Sequence, residues 1–236
     1  MSGAVVLGPG LWWVATSASN AYLWRGRSGK VIVIDPGLPG DESIMVSALG
    51  EIGSSPREVE LVLVTHHHAD HAGAASSLAA LTAARVAAGV ADAAVLRGVS
   101  LPPQPALSAK EKPIYDMITS GGADSPPRCA IDVELTGGEA IDDEGLLVVK
   151  AVPGHTWGSV AVHLPHLGAV ITGDVAVEAP TGGVSVGPFN ADRAMARAAV
   201  QTLGGLHPVI VGLGHGTPVL QDAGRALLDA TDAWAD

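Results

Sequence analysis

The 236-residue chain is long enough for one sizeable domain, or two small ones sharing a core, and its 47% apolar content, largely Ala, Val and Leu, excludes a disordered polymer. A net charge of −11 with scattered Lys and Arg argues against a surface built to neutralise phosphates, so no nucleic-acid partner is expected. Cys129 is the only cysteine, which excludes an internal disulfide framework and a thiolate-rich zinc site.

The N-terminal stretch "MSGAVVLGPGLWWVATS" has no basic leader region, and Pro9 and two tryptophans stand where a leader needs its apolar run. No stretch reaches the ~18 unbroken apolar residues of a membrane span. A cytoplasmic location without membrane attachment is the expectation. "NAYLWRG" and "KVIVIDPG" then read as a strand pair, with Arg25 to Ser28 as the turn. "DESIMVSALGEIG" has an acidic start and a terminal Gly53 and reads as a helix. "EVELVLVT" reads as a buried strand, "GAASSLAALTAA" as a helix and "RVAAG" as another short strand. Residues 99–127, rich in Pro, Ser and Gly, break this rhythm around one short helical piece, Glu111 to Ile118. They read either as a linker or as a loop crossing an active-site mouth. Within that stretch Tyr115, Met117 and Ile118 offer an apolar contact for an acyl chain.

The second half resumes with short strands in "CAIDVELTGG", "EGLLVVKAVPG", "SVAVHLP" and "GAVITGD". "ADRAMARAAVQTLGGL" reads as a helix, "HPVIVGLG" as a strand and "QDAGRALLDATDAW" as a closing helix. The sum is a layered α/β arrangement of two sheets with helices outside. No coiled-coil heptads are present, and the oligomeric state is left open.

Four of the nine histidines fall in "VTHHHADHAG". His66 and His68 are two apart, so at a strand end both imidazoles point to one side while His67 points away. Asp70 and His71 follow as the chain turns into a helix, where a carboxylate is favoured by the N-terminal dipole. Three imidazoles and a carboxylate suit zinc or another borderline divalent metal. Three more candidates sit at strand tips beside glycines: His155 in "VPGHTWGS", Asp174 in "VITGDVA" and His215 in "VGLGHGTP". Five histidines and two carboxylates are enough for two metals with open positions. His163, His166 and His207 lie outside these motifs and read as ordinary histidines.

"THHHADHAG", followed in order by "GHT", "GD" and "GHG", resembles the T-H-x-H-x-D-H signature and later motifs of the metallo-β-lactamase fold superfamily. The resemblance spans nearly the whole chain and implies a four-layer αββα sandwich with the site along one edge, in a single domain over 1–236. By resemblance, His66, His68 and His155 hold a first metal, Asp70, His71 and His215 a second, and Asp174 bridges both. Two divalent ions are thus the implied cofactors, zinc foremost, with iron or manganese as alternatives. Asp35 in "VIDPG" resembles the family's strand-end aspartate, a partner for a ligand imidazole, with an aspartate opening a turn as the alternative reading.

The implied chemistry is hydrolytic. Two metals about 3.5 Å apart lower the pKa of a bridging water toward 7, and the hydroxide attacks an acyl or phosphoryl centre. Asp70 is placed to move a proton to the leaving group. Asp174 stands where the best-known secreted β-lactamases carry cysteine. Only 216–236 follow the last motif, so the helical C-terminal domain of glyoxalase II is not expected. The pattern most resembles compact bacterial metallo-hydrolases of glyoxalase II and acyl-homoserine lactonase types. A small acyl substrate, a thioester, lactone or other carboxylic ester, is expected; a mononuclear iron persulfide dioxygenase and a phosphodiesterase are the alternatives. "GHTWGS" puts Trp157 two residues past a candidate ligand. The area a tryptophan must bury favours packing between the sheets over a place in the pocket wall.

Overall fold

The computed structural model describes residues 3–120, 126–142 and 144–236; residues 121–125 of the Pro-rich 99–127 stretch therefore lie outside the described residues. The first sheet opens with an antiparallel meander, β1 (Val5–Gly8), β2 (Leu11–Ala15), β3 (Asn20–Arg25) and β4 (Val31–Ile34). Helix α1 (Glu42–Glu51) leads to β5 (Val59–Val64), which pairs parallel to β4. The His-rich stretch follows and ends in the one-turn α2 (Ala69–Ala72), then α3 (Ala75–Thr82) and β6 (Arg85–Gly89). Next come α4 (Val90–Leu96), α5 (Glu111–Thr119) and β7 (Val133–Leu135), which completes the seven-stranded sheet in the order β1 to β7.

The second sheet is built from β8 (Val148–Ala151), β9 (Val160–Leu164), β10 (Ala169–Ile171) and, after the β11 (Ala176–Glu178) and β12 (Val184–Val186) hairpin and α6 (Arg193–Gly204), β13 (Ile210–Gly212). Its order is β13-β10-β9-β8, and α7 (Ala223–Leu228) closes the helical layer. Antiparallel pairing of β8 with β9 and of β9 with β10, and parallel pairing of β10 with β13, point β8, β10 and β13 the same way. Their C-terminal ends therefore meet at one edge.

Strict alternation creates the layers. In β4, Ile32 and Ile34 face the second sheet while Val31 and Val33 face helices α1, α3 and α4. In β9 and β10, Val160, Val162, Leu164, Ala169 and Ile171 face the first sheet, whereas Ala161 and Val170 pack on α6 and α7. Both faces of these strands are apolar, so a one-residue slip would exchange two buried surfaces instead of exposing one. Aliphatic burial of about 1.5–3 kcal/mol per Leu, Ile or Val side chain dominates a chain poor in aromatics. The result is the expected αββα sandwich.

Some expectations are corrected. The closing helix spans only Ala223–Leu228, because Thr231 pairs with the β12 backbone through Val186 N–H and Val184 C=O, a bonding pattern that a helix would forbid. Helix α4, β1, β2 and the β11–β12 hairpin were not expected. "VADAAVL" merges with the preceding strand's apolar run, with Gly89 as the sole break between them. Among the described residues, no helix is long and apolar enough to cross a membrane.

Candidate metal centre

Asp35 ends β4 with φ 54°, a left-handed conformation that aspartate tolerates better than most residues. That bend lets its carboxylate accept Thr65 N–H at 2.7 Å and Thr65 Oγ1–H at 2.6 Å, while Oδ2 lies 2.9 Å from His71 Nδ1. Thr65 Oγ1 in turn lies 3.0 Å from His66 Nδ1. With both Nδ1 atoms engaged, the Nε2 atoms of His66 and His71 face the space between the strand ends.

The seven candidates converge there. His66, His68 and His155 form one cluster and Asp70, His71, Asp174 and His215 another, each with its ligand atoms within 4.8 Å of one another. His155 Nε2 lies 3.0 Å from His68 Nδ1. In the second cluster His215 Nε2 is 3.1 Å from Asp70 Oδ2 and 3.2 Å from Asp174 Oδ2, and His71 Nε2 is 3.1 Å from Asp174 Oδ1. Asp174 lies between the clusters, its Oδ2 also 3.9 Å from His155 Nε2. The donor set fits divalent cations. His66 Nε2 is buried with no hydrogen-bond partner among the described residues, which is costly for a polar atom unless a ligand completes it.

The two clusters differ in charge. Burial, reinforced by the neighbouring imidazoles, holds His66 well below the usual imidazole range and brings His68 down to about 3. Burial also lowers His155. For His71 burial acts in the same direction, but Asp174, Asp70 and Asp35 outweigh it and hold its pKa well above the ordinary value. His215 is likewise opposed by burial yet raised to about 10 by Asp174 and Asp70. Asp70, despite burial, drops to about 2 beside His71 and His215, and Asp174 falls well below its usual range for the same reason. Without metal, one cluster is a set of neutral imidazoles and the other a pair of imidazolium–carboxylate contacts.

Other residues hold the frame. His67 turns from the cluster to Asp92 on α4, with Nδ1 3.1 Å from Oδ2. Asp92 also accepts His67 N–H at 2.9 Å, Thr156 Oγ1–H at 2.7 Å and Gly158 N–H at 2.9 Å, tying the His66–His68 strand end to the His155 loop. Asn20 on β3 donates to Leu213 C=O at 3.0 Å and Gly216 C=O at 2.7 Å, fixing the loop of His215. Sequence reasoning missed Asp92 and Asn20; for Asp92 the available signal was a polar residue inside an apolar run, and Asn20, which follows a Ser-rich turn, offered none. Trp157 corrects another expectation: it is 46% exposed instead of packed between the sheets. Its neighbours Thr156 and Gly158 bond inward to Asp92, so the residue between them points out.

A cleft of about 230 Å³ opens beside the centre, lined by Leu38, Tyr115, Ile118 and Phe189 together with His68, Asp70 and Asp174. Pro102, Pro103 and Pro105 line a neighbouring recess with His67, His68 and His155. Met117, expected to join Tyr115 and Ile118, is 69% exposed and not among the residues lining the cleft. Among the described residues, His163, His166 and His207 join no cluster of possible ligands.

The chain and its fold are similar to those of known proteins. A hydroxyacylglutathione hydrolase of Dechloromonas aromatica is 35% identical over 155 residues, covering 65% of this chain but 43% of that protein, so the chain spans less than half of that relative's length. An uncharacterised protein of Bacillus subtilis, YobT, is 29% identical over 209 residues, covering 84% of this chain and 82% of the other. Among solved structures, a metallo-beta-lactamase family protein of Thermus thermophilus superposes with a TM-score of 0.69 at 23% identity, over 94% of this chain and 78% of its own. TTHA1623, solved in a di-iron-bound form, gives 0.65 at 25% identity, over 94% and 96% of the two chains. The family model of the metallo-beta-lactamase superfamily matches residues 14–215, from β2 through His215, and the chain belongs to that superfamily.

Proposed function

We propose that the chain is a dinuclear metal-dependent hydrolase of carboxylic-acid derivatives, cleaving a thioester, lactone or other ester. The observation that carries this reading is Asp174 lying between a three-histidine cluster and a second cluster of Asp70, His71 and His215. Two divalent ions held by these residues supply Lewis acidity and a water of lowered pKa. Zinc suits this mixed imidazole and carboxylate set, and iron, present in one structural relative, is the competing identity.

The chain's own groups do the rest. Asp35 fixes the ring of His71, so that Nδ1 carries the proton and Nε2 is left for the metal. Asp70 lines the cleft beside the centre, placed to pass a proton to the leaving group. Pro102, Pro103 and Pro105 form a wall beside the site, and the chain acts as one catalytic domain in the cytoplasm. Leu38, Tyr115, Ile118 and Phe189 give the cleft an apolar side next to His68, Asp70 and Asp174, and that side suits the apolar chain of an acyl group. The hydrolase relatives point the same way.

The test is a pH-stat assay of the metal-loaded protein with acyl thioesters, lactones and simple esters, each repeated after chelation. Chelator-sensitive proton release with one class is expected. Silence across the panel, or oxygen uptake with a persulfide from an iron-loaded protein, would overturn the reading.

A further inference from the structure

The aromatic wall of the cleft is held by an ion pair on a buried carboxylate that is not among the candidate metal ligands. Phe189 sits at φ 59°, a left-handed conformation that side chains other than glycine rarely adopt. Its ring meets Tyr115 edge to face with centroids 5.5 Å apart, and its N–H donates to Glu111 Oε1 at 2.8 Å. Glu111 is fully buried and begins α5, the helix that carries Tyr115. Its Oε2 accepts Ser108 N–H at 2.8 Å, and its Oε1 lies 2.5 Å from Arg193 Nη2. Arg193 reaches on to Asp232 at 2.6 Å. The same loop continues to the centre, where Ala191 N–H donates to the carbonyl of His155 at 3.0 Å.

One carboxylate therefore joins the helix bearing Tyr115, the strained loop bearing Phe189 and the start of α6. A buried ion pair is a poor way to hold a helix, because apolar packing of similar volume does so at no desolvation cost. What a carboxylate supplies here is an acceptor for the Phe189 N–H and a counter-ion that fixes where Arg193 sits. Building on the hydrolase reading above, we propose that Glu111 is a positioning residue for substrate selection: it sets the Phe189–Tyr115 wall that receives the apolar chain of an acyl substrate.

The experiment measures binding of acetate and octanoate, the product acids of short and long acyl substrates, to the metal-loaded protein by calorimetry. Kinetics with the matching acyl thioesters are run in parallel. Wild type is expected to bind octanoate at least about tenfold more tightly than acetate, the scale of one well-seated methylene contact or more. Phe189→Ala and Glu111→Gln should each lower that ratio about tenfold, with the loss falling on KM for the long substrate while kcat holds. A general structural defect would lower kcat as well. Should Glu111→Gln fail to fold, Arg193→Lys, which keeps the charge but loses the planar guanidinium that reaches Glu111 with one nitrogen and Asp232 with another, reads the same ratio. Equal binding of the two acids by wild type overturns the wall. A wild-type ratio in Glu111→Gln, or in Arg193→Lys where that variant stands in, overturns the positioning role. A silent enzyme that still prefers octanoate fails only the hydrolase reading.

Discussion

His71 Nδ1 lies 2.9 Å from Asp35 Oδ2, across two parallel strand ends of one sheet. The same carboxylate holds the amide and hydroxyl of Thr65, whose hydroxyl contacts His66. One buried group thus orients a ring in each cluster.

Asp35→Asn tests that arrangement. An amide oxygen still accepts one hydrogen bond, but the charge that favours the Nδ1–H tautomer of His71 is gone. Metal affinity of the second cluster should fall by about 10–100-fold. Competition with a chelator of known affinity measures it, and wild-type affinity in the variant would show that Asp35 merely shapes the turn.

The charge states predict how the centre fills as pH changes. His66, His68 and His155 have lowered pKa values and are neutral at pH 7, so the first metal displaces no proton from them. His71, raised well above the ordinary value, and His215, raised to about 10, are protonated at pH 7 and must each release a proton to ligate. Affinity for the second metal should therefore rise as pH increases toward 10, by about tenfold per pH unit for each proton displaced, while the first stays nearly flat above pH 7. Calorimetry in buffers of different ionisation enthalpy counts these protons. Equal proton release for both metals would contradict the assignment.

Asp92→Ala removes the acceptor shared by His67, Thr156 and Gly158. Leaving these donors buried should cost about 3 kcal/mol, since each unsatisfied group costs about 1–3 kcal/mol and relaxation recovers part of the total. At about 2–4 °C per kcal/mol for a chain of this size, the melting temperature should drop by roughly 6–12 °C. Metal retention should weaken as well, because the strand end of His68 and the loop of His155 are no longer tied together. Thermal melting and metal analysis of the purified variant check both effects.

Gly214→Ala probes the close approach beside His215. A Cβ there would lie 2.0 Å from Asp174 Oδ1 and 2.7 Å from the Gly173 carbonyl carbon. Backbone and carboxylate must both move, so the variant should lose the bridging position of Asp174 and most chelator-sensitive turnover. Activity and metal content close to wild type would mean that the loop accommodates the methyl group.

Much of this protein is legible along the chain. The apolar runs of β4, β5, β9 and β10, the glycines beside His155, Asp174 and His215, and the concentration of histidines after one apolar strand follow from local composition and local chemistry. The sequence therefore determined the layered α/β class and all seven candidate ligands. Local spacing left their division open, and family resemblance alone implied it; the tertiary structure brings residues as distant in the chain as His68 and His155, or Asp70 and His215, together through strand direction and register, which short-range spacing does not encode. It also decided the roles of Asp92, Asn20 and Glu111. A buried polar residue takes its meaning from the partners that satisfy it, and those partners lie on other elements. Trp157 shows the same limit from the other side. Its size favoured burial, but two inward hydrogen bonds from its neighbours turned it toward solvent.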